Sequence, residues 1–574
     1  MSSSYDAIVV GAGHNALVTA AYLARAGWST LVLERAERPG GAVVSDEVTR
    51  PGFIHDLFAT NLNLFLGSPV AAELGADLER HGLRYAASAR PFANVFPGGR
   101  GVRVFQGIEE TLAELERHDS LDADGWRELD HLYEHLSPAL FALYGSRLDA
   151  RSLAALAVEQ APRLGLDGAR ELAQLLLSST RELADTYLHS PEARALLACW
   201  GMHLDFGPDV SGGAMFPFLE AFTDMRTGVT LAQGGASKLI EALVAVASEH
   251  GAQLRCGTDV VRVLVDEDGG KRARVTGVEL ASGERIAARR AVVAGVMPPV
   301  LYGQLLKGVT IPAAVRRAAA RYCHGPGTLM VHLALARPPA WEAGDDLARF
   351  AYVHIAPYTE DLAATYAQAC AGVLPDEPML IVGQTSAVDP SRVAGAGGRD
   401  DERVAGQDSG AILWVQVRAL PALIRGDAAG EIEPGSWEAE VGERYADRVL
   451  AKLERYAPGI GELVLDRAVL TPADLQRHDS NLAGGDSIGG SMHLRQNFLF
   501  RPLAGFADYE TGIDGLLMVG ASTWPGAGVN ALSGYNVARK LLTTPRRRSQ
   551  DAKLVLSGLR AAASPLYQGV RSRR

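Results

Sequence analysis

The sequence predicts an α/β fold carrying an α+β second domain and a helical cap, on three observations. A short apolar strand near the N-terminus runs through a glycine turn into a helix. A second strand, glycine loop and helix recur near the C-terminus. Between them, short alternating strands and long stretches with apolar residues three and four apart share the chain, the mixture expected of layered α/β and α+β units. A length of 574 residues exceeds what one core supports, so more than one domain is expected.

The first strand is Asp6 to Val10, an apolar run suited to a buried parallel position. It ends in Gly11-Ala12-Gly13-His14-Asn15-Ala16, a G-x-G-x-x-A pattern. Leu17, Ala20, Ala21 and Ala24 then recur at helical spacing, and Gly27 supplies the stop. The second strand, Thr30 to Leu33, leads into Glu34. Gly11 permits the sharp turn and Gly13 lets backbone approach a pyrophosphate. Ala16 allows close packing of helix on strand, and the helix N-terminus favours negative charge. Glu34, at the end of the second strand, is placed to accept from ribose hydroxyls and to repel a 2′-phosphate.

Two further segments favour FAD over NAD. Arg35-Ala36-Glu37-Arg38-Pro39-Gly40-Gly41-Ala42 follows the acid, and its paired glycines let backbone reach the far side of a pyrophosphate. Near the C-terminus an apolar strand ends at Gly520, followed by Ala521 and a glycine-rich loop through Val529-Asn530-Ala531. A helix over about 531–542 closes that unit, with its N-terminus suited to the pyrimidine edge of an isoalloxazine.

With these motifs the chain resembles the phytoene desaturase and carotenoid isomerase-like flavoproteins, a branch of the amine-oxidase-like superfamily. Within it the likeness is to bacterial phytoene dehydrogenase-related proteins and their mitochondrial pyridine-nucleotide-disulphide-oxidoreductase-domain relatives. It rests on Val9 through Asn15, Glu34 with Arg38 to Gly41, Pro51-Gly52-Phe53-Ile54-His55-Asp56, Gly234-Gly235, and Val519 through Gly528. The resemblance implies a discontinuous Rossmann-type FAD-binding domain, with FAD held non-covalently by Gly11, Ala12, Gly13, Asn15, Ala16, Glu34, Arg35, Gly40, Gly41, Ala42, Gly520, Ala521, Val529, Asn530 and Ala531. It also implies that the Val260 backbone meets the adenine. Where family members often read Thr-His-Pro-Gly, this chain reads Thr523-Trp524-Pro525-Gly526, which reshapes the expected flavin face.

The expected division places the FAD domain at 1–70, 231–305 and 481–545. A mainly helical cap occupies 71–230, a mixed α+β substrate domain 306–480 and a basic tail 546–574. Asp389 to Gly410, rich in Gly, Asp and Arg, reads as a mobile loop. Candidates for chemistry are His55 as a proton acceptor, Trp524 as a wall of the flavin or substrate site, and Tyr535 on the closing helix. Asn61 and Asn63 are weaker candidates, Arg501 is expected to fix a carboxylate, and His478 and His493 read as surface or loop residues.

The reaction expected is that of an FAD-dependent dehydrogenase or desaturase, taking hydride from a C–H of a largely apolar substrate, with oxygen or a quinone as acceptor. The alternatives are an amine or alcohol oxidase, a reduced-flavin polyene isomerase and a low-turnover flavin-binding or chaperone-like protein. The amine oxidases imply a lysine–water pair and an aromatic cage, for which no lysine stands out here. A net charge of −11 gives no general affinity for nucleic acid. Four scattered cysteines fit neither a metal site nor a disulfide framework. A cytoplasmic location is expected; the basic tail reads as a solvated disordered segment, with peripheral membrane contact as the alternative, and oligomeric state is left open.

Overall fold

The computed structural model describes residues 4–267, 273–394 and 410–543. Most of the expected loop at Asp389–Gly410 and the basic tail lie outside the described residues.

The central sheet takes its strands from three separated stretches. β1 (Ser4–Val10) and β2 (Thr30–Leu33) come first, then β3 (Gln253–Arg255), β4 (Val260–Asp266), β5 (Arg274–Leu280) and β6 (Arg285–Ala294), and finally β7 (Leu516–Met518). The order is β4-β5-β6-β1-β2-β3, with β7 also paired to β6. β3, β2, β1, β6 and β7 pair in parallel, while β4, β5 and β6 pair antiparallel. Val9 stands opposite both Val32 and Val293, and Val293 opposite Leu517. The apolar run Ala7–Val10 is thus buried on both faces, as a central parallel strand must be.

The helix His14–Arg25 crosses one face of this sheet, where Leu17, Ala20, Ala21 and Tyr22 join a core with Leu239, Leu243 and Val537. The closing helix, Leu532–Thr543, packs on it. Thr19 Oγ1 donates to Gly534 O at 3.0 Å, and Asn15 Oδ1 accepts from Gly534 N–H at 3.1 Å. These bonds join the two glycine motifs.

A second seven-stranded sheet is mostly antiparallel. Its order is Val464–Leu470, Gly327–Leu335, Ala411–Leu420, Leu380–Gly383, Tyr352–Ile355, Phe92–Phe96 and Arg100–Val104. Alternation divides its faces. Leu329, Val331, Leu333, Val415 and Val417 pack with Tyr445, Val449 and Leu453 of the helix Ala439–Tyr456. The opposite face carries Met330, His332, Trp414, Gln416, Arg418, Tyr352 and His354, and its apolar members pack under the cap helices. This is an α/β fold joined to an α+β sheet, as expected.

The cap includes Ser120–Gly145, Ala150–Leu177, Pro191–Met202 and Met215–Thr227. Trp126 stacks on Phe222 at 4.9 Å in its core. Val158, Leu166 and Leu177 of Ala150–Leu177 stay exposed. Among the described residues no helix is long and apolar enough to cross a membrane.

Candidate functional site

Where β1 ends, the fingerprint and the strand-end acid lock together. Glu34 Oε2 accepts from Ala12 N–H at 2.7 Å and Oε1 from Ala36 N–H at 2.9 Å, while Gly40 N–H donates to Ala12 O at 3.0 Å. The acid therefore shapes the turn, and each oxygen keeps a lone pair for a ribose hydroxyl. At the C-terminal motif Ser533 Oγ accepts from Gly520 N–H at 3.0 Å and lies 2.7 Å from Thr523 Oγ1, tying the strand end to the closing helix.

Between the two motifs lies a cavity of about 800 Å³, within the range of cofactor sites. It runs from Glu34, Arg35 and Val260, past Gly11–Ala16 and Gly40–Ala42, to Ser487, Gly489, Ala521 and Ser522. Two observations test whether a dinucleotide fits. A Cβ added at Gly13 would meet no protein atom within 4 Å, and the same holds at Gly520, so side chains there would project into space the protein leaves open. The Gly13 site is also the N-terminus of the helix His14–Arg25, whose first N–H groups suit a diphosphate. These residues fit FAD.

Of the residues expected to meet the cofactor, Gly11, Ala12, Gly13, Asn15, Ala16, Glu34, Arg35, Gly40, Gly41, Ala42, Val260, Gly520 and Ala521 border the cavity. Val529, Asn530 and Ala531 do not. Asn530 Nδ2 is turned to Ala527 O at 3.1 Å, and Val529 and Ala531 are buried in the core beneath the closing helix. Sequence reasoning did not single out Met297, Gln476 or Asp479–Leu482, which also border the cavity. Asn481 holds that wall, its Oδ1 accepting from Met297 N–H at 3.1 Å and its Nδ2 donating to Gly295 O at 3.0 Å. His478, expected at the surface, borders the cavity and packs on Phe58.

None of the three expected catalytic side chains borders this cavity. His55 is buried, 2.8 Å from Thr49 Oγ1 through Nε2, with its ring edge-on to His332 at 5.3 Å. Burial holds its pKa down at about 3, so it stays neutral. The Trp524 indole donates to Ser146 O at 3.0 Å and packs against Phe498 and Tyr144. Tyr535 points outward, donating to Glu73 Oε1 at 2.9 Å with its ring edge-on to Tyr22. Among the described residues Arg501 pairs with no protein carboxylate; its guanidinium is buried among backbone carbonyls. His493 is half-buried, 3.0 Å from Tyr366 OH and 2.8 Å from Asp205 O.

A carboxyl pair went unnoticed in the sequence. Glu220 and Asp224 lie one turn apart on Met215–Thr227. Asp224 is fully buried; its Oδ1 accepts from Asn63 Nδ2 at 2.7 Å and its Oδ2 has no partner. Burial pushes Glu220 up to about 7, and burial with the neighbouring Glu220 raises Asp224 well above the usual carboxylate range. Burial first, and then both carboxylates, raise the phenol of Tyr352, so the pair lies within electrostatic reach of that residue of the second sheet. The indole N–H groups of Trp200 and Trp414, each near Tyr352, lack partners. Lys238, Lys452 and Lys540 form ion pairs away from the cavity.

Residues 17–405 match the model of the flavin containing amine oxidoreductases. The chain is 27% identical to the rat (Rattus norvegicus) pyridine nucleotide-disulfide oxidoreductase domain-containing protein 2, over 94% of this chain and 93% of that one. It is 24% identical to the neurosporene-forming phytoene desaturase of Rhodobacter capsulatus, over 95% of each chain. Its fold is similar to that of cyclohexylamine oxidase from Brevibacterium oxydans, with a TM-score of 0.54 at 15% identity over 94% of this chain and 98% of that one.

Proposed function

We propose that this chain, which belongs to the family of flavin-containing amine oxidoreductases, is a dehydrogenase or desaturase that takes hydride from a C–H bond of a largely apolar small molecule. It is an FAD-dependent oxidoreductase. FAD, when bound, supplies the two-electron acceptor for that hydride. The observation carrying the reading is that the glycine motifs from both ends of the chain border one cavity.

In this reading the N-terminal N–H groups of His14–Arg25 hold the diphosphate, Glu34 binds the ribose, and the 487–489 and 520–522 walls enclose the ring. The aromatic core of the cap, with Trp126, Phe218 and Phe222 fully buried against one another, gives the cap a packed apolar body. Glu220 and Asp224, on the cap helix Met215–Thr227, do not border the cavity, and the proton that leaves beside the hydride is not assigned to them. The phytoene desaturase relative supports a polyene or terpene-like substrate. Oxygen or a quinone serves as final acceptor, and the exposed Val158, Leu166 and Leu177 offer a peripheral contact with lipid.

A second reading, oxidation of an amine, is favoured by one observation: the buried Asp224 and the half-buried Glu220 are two carboxyl groups one helical turn apart within electrostatic reach of Tyr352. The cyclohexylamine oxidase fold is compatible with it. Anaerobic titration of the holoprotein with polyenes, terpenes and amines, followed by bleaching of the flavin bands, separates the two. Bleaching by the apolar compounds alone supports the first reading, bleaching by amines alone the second, and bleaching by neither overturns both.

A further inference from the structure

The cavity end formed by Ser487, Gly489, Ala521 and Ser522 is backed by two buried guanidinium groups. Arg501 Nη2 donates to Ala521 O at 2.6 Å and to Gly489 O at 2.9 Å, and Nη1 to Ser491 O at 3.0 Å. Arg418 donates to Ser487 Oγ, to Thr328 Oγ1 at 3.0 Å, and to the carbonyls of Met202, His203 and Leu204 at 3.1, 2.6 and 3.1 Å. Every one of these acceptors is neutral.

An arginine this deeply buried is ordinarily matched by a carboxylate, because an unmatched buried charge is costly. Here the nearby carboxylate, Asp486, hydrogen-bonds neither guanidinium and acts on Arg418 only through space: it accepts from Gly325 N–H at 2.9 Å, Ile488 N–H at 2.9 Å and Gly490 N–H at 2.7 Å. The 486–491 loop thus gives N–H groups to a carboxylate and C=O groups to Arg501, which also holds the loop at Ala521. Asp205, close enough to influence Arg418, is itself raised by burial, which lowers its tendency to carry charge. Burial brings Arg418 down only to about 10, so it remains a cation at neutral pH.

We propose that Arg501, with Arg418 behind it, sets the redox potential of bound FAD, its guanidinium delivering positive charge through the two loops that wall the ring end of the cavity. Uptake of a hydride adds one proton and two electrons and leaves the ring one negative charge richer than before. A fixed cation one peptide layer away in a low-dielectric wall favours that charged form over the oxidised one. Arg501 acts here as a positioning and charge-setting residue, since it touches the loops and not the reacting atoms.

The inference rests on FAD occupying the cavity, and the test keeps the two apart. The midpoint potential of FAD on the wild-type holoprotein is measured against free FAD, with the affinity for oxidised FAD. We expect a wild-type potential above that of free FAD, corresponding to reduced FAD bound at least about tenfold more tightly than oxidised. Arg501→Gln should lower that preference by about tenfold and Arg501→Lys, which keeps the charge, should retain most of it. A wild-type potential at or below that of free FAD overturns the proposal, as does a folded R501Q holoprotein with unchanged preference. Loss of the preference in a folded R501K overturns it too, since geometry and not charge would then decide. Failure of the wild-type protein to bind FAD would instead remove the cofactor reading itself.

Discussion

Arg392 Nη1 lies 2.7 Å from Asp56 Oδ2, with both side chains fully buried. The pair ties the segment after the paired glycines to the second domain. Asp56 Oδ1 also accepts from Ala236 N–H and Ser45 Oγ, while Arg392 reaches Asp389 Oδ2 and Ala232 O. Removing one partner leaves a desolvated charge. Arg392→Ala should cost about 3–5 kcal/mol in chemical unfolding, and Asp56→Ala a similar amount. The double variant should lose less than the sum of the two single losses.

Gly13→Ala separates cofactor binding from folding. The residue has φ −70° and ψ 162°, which alanine adopts freely, and its new Cβ meets no protein atom within 4 Å. The thermal midpoint of the apoprotein should stay unchanged. FAD affinity should fall by about tenfold or more, roughly 1.4 kcal/mol, in a titration by flavin fluorescence. Wild-type affinity would mean that the diphosphate does not lie over Gly13.

Glu220 predicts a pH dependence. Its folded pKa of about 7 stands above the ordinary 4.5, so the folded state binds the proton more tightly than the unfolded one. The resulting stabilisation is complete below about pH 4.5 and is lost as pH rises through about 7. Thermal midpoints should show this fall in the wild type and a shallower one in Glu220→Gln. A residual slope from Asp224, which is also raised, should persist. Identical profiles for the two proteins would show that Glu220 titrates normally.

Trp524→Phe should affect the fold and not the flavin. The variant loses the indole bond to Ser146 O and leaves that carbonyl short of a partner, at about 1–3 kcal/mol. The flavin absorption bands should keep their positions, because Trp524 does not border the cavity. A shifted flavin spectrum would place the indole against the ring after all.

The N-terminal half of the cavity was legible because its determinants are local. A strand end, a glycine turn, a helix start and an acid at the next strand end follow one another within 34 residues, and each fixes the next. The C-terminal loop was legible only as a loop. Glycine content does not say which residues turn to the ligand, and Asn530 spends its amide on Ala527 O. His55 follows the glycine pair closely, yet sequence adjacency cannot say that its ring turns toward His332. Glu220 and Asp224 went unremarked, because two acids four apart on a helix do not show in sequence that one of them is buried beside Asn63. Arg501 stood out in the sequence but not for its partners, and Arg418 left no signal, since both hold backbone carbonyls of distant loops and any sequence supplies carbonyls.

The order of the central sheet bears on how the protein is made. β6 lies between β1 and β7, and Gly534 bonds to Asn15. The fingerprint emerges from the ribosome first, but its outer support, β7 and the closing helix, is synthesised about 500 residues later. At roughly 5–20 residues per second that interval is about 25–100 s. For about the last 220 residues of it, after β6 is made, the nascent chain holds a parallel sheet in which the Val292–Ala294 end of β6 still lacks β7, a state prone to association. The cavity between the two glycine motifs is therefore complete only once the last described strand and helix have been made.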